Sequence, residues 1–210
     1  MNIFGFRQRL ALSVLLVTAF AATSKADNFA YTALSSGEFG TMDLTTAQFT
    51  PLGNSGLQLT GLAVIGGTLY GAPYGGDTLY TVNPANGSLT AVGTGGISYW
   101  LFGSTTSGLY GLTSSQNLYS INPATGASTL IGSTGISNAG GYYYLSADSP
   151  TLYETNGTSL YWINPTTGAG TLIGSTGDTE GIVVPEGSVL YDAVLAGAET
   201  GQLGLSLIHI

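Results

Sequence analysis

Asp178 and Glu180 lie two positions apart between clusters of Gly, Ser and Thr, a loop setting. A pair of carboxylates is the minimum equipment for cleaving a glycosidic bond, one group serving as acid and the other as base or nucleophile. Little else in the chain could do chemistry. There is no Cys, the one His is His209, and the three cations, Arg7, Arg9 and Lys25, all precede Asp27. From Asp27 to the final residues, His-based triads, Schiff-base lysines, arginine clamps, thiolate metal sites and disulfides are therefore excluded. An acidic loop can also hold Ca²⁺ with help from backbone carbonyls, but no spaced run of Asp and Asn accompanies this one. No cofactor and no metal is expected. Two acids in a solvated loop serve solubility equally well. The reading adopted is non-enzymatic, with a carboxylate-dependent glycan lyase or hydrolase as the alternative.

The second group of candidates is aromatic: Tyr99 and Trp100, then Tyr142, Tyr143 and Tyr144. A neutral surface of aromatic rings and hydroxyls suits a sugar or another protein. The competing explanation is packing around glycine-rich strand starts. Charge narrows the partners. All 11 acids and none of the cations lie from Asp27 onward. Phosphate neutralisation needs Lys and Arg, so nucleic acid is excluded, and so is attachment to an anionic membrane surface.

These residues are carried by a repeat. Leu118-Tyr-Ser-Ile-Asn-Pro-Ala-Thr-Gly-Ala-Ser-Thr-Leu-Ile-Gly-Ser-Thr-Gly135 returns almost unchanged from Leu160 to Gly177, and in a looser form from Leu79 to Gly95. A worn copy runs from Gly40 to Gly53. The anchors Asp43, Asn83, Asn122 and Asn164 recur every 39 to 42 residues. Short strands at a period of about 40 predict an all-β propeller of four-stranded antiparallel blades. In each Asn-Pro-x-x-Gly, Pro84, Pro123 and Pro165 pre-set φ at a turn's second position. The Asn side chain caps the turn, and Gly87, Gly126 and Gly168 supply a positive φ. The unit is thus the hairpin joining third and fourth strands. Along the third strand, Tyr80/Val82, Tyr119/Ile121 and Tyr161/Ile163 share one face, while Leu79, Leu118 and Leu160 point to the other. Apolar residues on both faces suit a blade packed between neighbours. Gly66-Gly67 reads as a two-residue hairpin loop.

Three divisions are expected. Residues 1–26 read as a signal peptide: Arg7 and Arg9 precede an apolar run from Leu10 to Ala22, and Ser24-Lys25-Ala26 offers a cleavage site before Asp27. That run is too short for the roughly 20 residues of a membrane-spanning helix, so no stable span is expected in the mature chain. Residues 27–204 hold about four blades, beginning with a blade that lacks its innermost strand. Six or seven blades at about 40 to 45 residues each need roughly 240–280 residues, so a truncated propeller is expected. Residues 205–210, which contain His209, break the composition and resemble translated adapter sequence.

The pattern Leu-Tyr-x-Ile-Asn-Pro-x-Thr-Gly-x-x-Thr-Leu-Ile-Gly-x-Thr-Gly resembles the blades of exported bacterial propeller proteins. It is similar to secreted propellers of the PEP-CTERM type and, more loosely, to YVTN, NHL and quinoprotein-like blades. The resemblance spans nearly all of residues 29–194. It implies a propeller exported to the periplasm, cell surface or medium. Those families include binding, adhesive and structural members as well as enzymes. The expected function is an extracellular binding or surface-interaction module, its partner a polysaccharide or a cell-surface protein. A structural matrix protein is the second alternative.

Overall fold

The computed structural model describes residues 29–43, 45–137, 144–148, 151–156, 159–175, 182–183, 191–194 and 204–207, with only the backbone described in 144–148 and from 182 onward. Five antiparallel sheets follow one another along the chain. The first blade is β1 (Phe29–Ala33), β2 (Glu38–Asp43) and β3 (Phe49–Asn54). The second is β4 (Leu59–Ile65), β5 (Thr68–Pro73), β6 (Thr78–Val82) and β7 (Leu89–Thr94). The third is β8 (Leu101–Thr105), β9 (Gly108–Leu112), β10 (Asn117–Ile121) and β11 (Ser128–Ser133). The fourth is β12 (Tyr144–Asp148), β13 (Thr151–Thr155), β14 (Ser159–Ile163) and β15 (Gly170–Ser175). The fifth is β16 (Ile182–Val183), β17 (Tyr191–Val194) and β18 (Gly204–Leu207), so Leu205–Leu207 of the compositionally odd tail pair with β17. Strands β4, β8, β12 and β16 adjoin in succession, the arrangement of innermost strands in a β-propeller. The first blade begins at the equivalent of a second strand, as the position of Asp43 relative to Asn83 requires.

The repeated turn forms as its chemistry dictates. Asn122 Oδ1 accepts from Ala124 N at 2.8 Å, the Asn122 carbonyl accepts from Gly126 N at 2.8 Å, and Gly126 has φ 75°. Asn83 and Asn164 repeat this with Gly87 at 75° and Gly168 at 81°. In the worn copy Asp43 replaces Asn. Its Oδ1 accepts from Thr45 N and Thr46 N at 2.7 and 3.0 Å, which holds its carboxyl below the usual value. Ala47 takes the glycine position at φ 55°. Replacing Asn164 with Ala removes the acceptor of two backbone donors, Thr166 N and Thr167 N. A loss of about 1 kcal/mol in unfolding free energy is expected, measured by urea titration. Gly66 and Gly67 close β4 onto β5 with φ 57° and 77°, the conformation of a twisted two-residue hairpin.

Blades meet at a backbone joint. In the first three blades the glycine near the end of the outermost strand lies under the turn of the next blade. A Cβ on Gly53 would sit 2.0 Å from the Asn86 carbonyl oxygen, one on Gly93 2.1 Å from that of Thr125, and one on Gly132 2.2 Å from that of Thr167. Only glycine lets two backbones approach so closely. Hydrophobic cores fill each seam above this joint. Phe39, Leu59, Leu69 and Val82 pack between blades one and two. Leu79, Ala72, Tyr99, Phe102 and Leu109 pack between two and three. Leu101, Leu112, Leu118, Leu152 and Ile163 pack between three and four. Leu79 and Val82 thus face opposite neighbours, as the period of two requires.

Candidate functional site

The loop entering the third blade places its aromatics very differently. Backbone bonds Gly75 N to Tyr99 O at 2.9 Å and Tyr99 N to Gly76 O at 2.8 Å zip residues 98–100 to the loop between β5 and β6. These residues precede β8 rather than forming its start: Tyr99 spends both backbone groups on that loop, and the first bond to β9 is Trp100 N to Leu112 O at 2.8 Å. Tyr99 is fully buried and belongs to the core of the seam between blades two and three. Burial pushes its phenol up, the Ser128 hydroxyl opposes this, and the Asp77 charge adds to it. Tyr99 is therefore a packing residue, not a ligand surface.

Trp100 turns the other way. Its carbonyl accepts from the Thr60 hydroxyl on β4, and its ring is partly buried against the core shared by blades three and four. The rest of the ring meets Tyr74, with centroids 5.4 Å apart and planes inclined at 51°. Tyr74 is 50% exposed, anchored through Tyr74 N to Gln58 O at 2.9 Å. On the loops that carry the pair, Leu57, Gln58, Asp77 and Ser98 are all exposed; the Ser98 hydroxyl donates to Gly75 O at 3.0 Å. The result is an open aromatic surface on rigid, hydrogen-bonded loops, rimmed by neutral polar groups and one carboxylate. It can stack a flat apolar face and offer hydrogen bonds at its edge.

Tyr74 was not among the candidates read from the sequence. It occurs in one blade only, and nothing local marks its meeting with Trp100. Tyr144 lies at the start of β12, where only backbone is described. Tyr142, Tyr143, Asp178 and Glu180 fall outside the described residues. Among the described residues, no group of His, Cys, Asp and Glu is arranged to hold a metal ion, and no helix is long and apolar enough to cross a membrane.

A different carboxyl is the unusual one. Glu154 on β13 is fully buried, and among the described residues neither of its oxygens has a hydrogen-bond partner. Burial pushes its pKa up to about 8; the Gln116 amide beside it pulls the other way. The sequence signal lies in a comparison between blades: Leu69-Tyr-Gly71 and Leu109-Tyr-Gly111 become Leu152-Tyr-Glu154.

No protein-family model matches the chain, and no curated protein matches it in sequence. Solved structures do share its fold. A Bacteroides thetaiotaomicron protein of unknown function superposes with a TM-score of 0.60 at 19% identity, over 80% of this chain and 50% of its own. A chain of a nidogen/laminin complex gives 0.58 at 14% identity, over 80% and 68% respectively. PorZ, a surface component of the type-IX secretion system of Porphyromonas gingivalis, gives 0.52 at 16% identity, over 87% and 25%. The chain thus spans about half the length of the first of these and a quarter of the last. At these identities the likeness concerns the fold: this is a β-propeller.

Proposed function

We propose that the chain is an exported, non-enzymatic binding module that takes a neutral glycan on the Tyr74–Trp100 surface. One observation carries the reading: half-exposed Tyr74 tilted against partly buried Trp100, with Asp77 the one charged residue on the loops that carry them. Sugar rings present flat CH-rich faces that stack on such rings, while their hydroxyls need the edge partners that Gln58 and Ser98 offer. The signal-like residues 1–26 and the resemblance to secreted bacterial propellers, the PEP-CTERM type among them, support export. Nidogen/laminin and PorZ stand in binding and surface contexts, which supports the same general reading.

Calorimetry against soluble neutral glucans, mannans and xylans tests it. Binding to at least one is expected, with little change between 50 and 500 mM salt because no ion pair is broken. Tyr74→Ala, at a half-exposed position, is expected to leave the fold intact and weaken binding about tenfold. Absence of heat with every member sinks the proposal. Binding that survives Tyr74→Ala unchanged moves the site elsewhere.

A further inference from the structure

We propose that the packing of the fourth blade on the third is a proton-dependent joint: Glu154 is held there as a neutral acid, and loss of its proton loosens that seam while leaving the others closed. The observation is geometric. The seam carries a band of buried polar groups: Gln116 and Thr134 from the third blade, and Glu154 and Asn156 from the fourth. Part of the band is satisfied. The Thr134 hydroxyl donates to Gln116 Oε1 at 3.2 Å, Asn156 Nδ2 donates to the Tyr161 hydroxyl at 3.3 Å, and Ser159 N donates to Asn156 Oδ1 at 3.1 Å. Part is not. Among the described residues, both Glu154 oxygens and Gln116 Nε2 lack partners. Among the described residues, the other two seams contain no carboxyl in their cores.

A carboxylate can be buried only with compensation, and among the described residues no cation supplies it. No Lys or Arg follows Lys25. The titratable groups around Glu154 are the phenol of Tyr161, its register partner on β14, and that of Tyr110 on β9 in the same core. On β12 the register partner of Glu154 is Leu145, and Asp148 sits at the other end of that ladder, opposite Thr151. The remaining carboxylates with described side chains, Glu38, Asp43 and Asp77, belong to blades one and two. Nothing in the described seam neutralises an anion at Glu154, so ionisation must be met by protonation or by admitting water. Admitting water means parting the two blades, since Leu152 and Ile163 flank the same core. At the equivalent positions in the second and third blades, Gly71 and Gly111 bring no charge.

Amide hydrogen exchange on the full chain tests this, with rates corrected for the intrinsic effect of pH. Between pH 5 and 8, amides of β13, β14 and residues 113–116 are expected to open more often by about tenfold per pH unit. Amides of β5 and β6 that exchange by local fluctuation rather than global unfolding are expected to stay flat. Glu154→Gln, of the same shape but unable to ionise, is expected to abolish the extra dependence. An unchanged profile in that variant overturns the proposal, and so does equal acceleration in every blade, which marks global unfolding. If the variant fails to fold, the ¹³C titration of the Glu154 carboxyl in the unaltered chain decides: a midpoint above about 6.5 supports the joint, and one at the ordinary value for Glu overturns it.

Discussion

Gly132→Ala is expected to destabilise the protein by about 3 kcal/mol or more, while Gly174→Ala, at the same position of the next blade, is expected to change stability by less than about 1 kcal/mol. The two substitutions differ only in what the new methyl meets. At Gly132 it would lie 2.2 Å from the Thr167 carbonyl oxygen, and at Gly174 none of the described residues lies within 4 Å. A carbonyl oxygen inside a hydrogen-bonded turn cannot swing aside as a side chain can. The turn must retreat by about 1 Å, and the seam core behind it loses contact as it does. Neither glycine needs a positive φ, so backbone strain does not confuse the comparison. Gly93→Ala should match Gly132→Ala, since its methyl would lie 2.1 Å from Thr125 O. Urea unfolding of the three variants decides; equal effects at positions 132 and 174 would refute the backbone joint.

The second large effect is on stability as a function of pH. Glu154 has its folded pKa raised to about 8 from an ordinary 4.5, so the folded chain holds a proton that the unfolded chain releases. The sign follows: the contribution is fully present below pH 4.5 and is lost as pH rises toward 8, then levels off. The slope is about 1.4 kcal/mol per pH unit, for a total of about 3 to 5 kcal/mol, a large part of a typical domain's stability. Asp43 acts in the opposite direction. Its lowered pKa gives stability above the usual carboxylate range that is lost on acidification. Glu154→Gln should flatten the slope between pH 5 and 8 and raise stability at pH 8. Chemical denaturation at closely spaced pH values measures this, and parallel curves for the two proteins would contradict it.

Local chemistry was legible from the sequence, and contacts between blades were not. The Asn-Pro-x-x-Gly turns and the Gly66-Gly67 hairpin follow from residues that touch their own neighbours in the chain. Blade order, and the start of the described residues at a strand equivalent to the second of the other blades, followed from the spacing of Asp43, Asn83, Asn122 and Asn164. Other features have causes about 30 or 40 residues away. Gly93 and Gly132 read as the end of a motif, yet their reason lies in the turns at Thr125 and Thr167. A register shift separates third and fourth strands in each of the first four blades, at Phe39/Gly40, Leu79/Tyr80, Leu118/Tyr119 and Leu160/Tyr161. Alternation alone does not reveal an extra residue in one strand. Tyr99 and Trp100 are adjacent and chemically alike in sequence, but the zipped loop sends one inward and the other to the surface. Glu154 was visible only as the break in a Leu-Tyr-Gly series.

The backbone joint also bears on how such a chain can lengthen. Each repeat carries one plug, its turn, and one socket, the glycine of its outermost strand. The contact is heterologous, joining unlike surfaces head to tail, so any copy fits any other. A duplicated stretch of about 40 residues brings a complete plug and socket with it and needs no compensating change elsewhere. Copy number is then free to drift in evolution while the fit between neighbours stays fixed. The near-identity of the units beginning at Leu118 and Leu160 is what a recent duplication under that rule would leave.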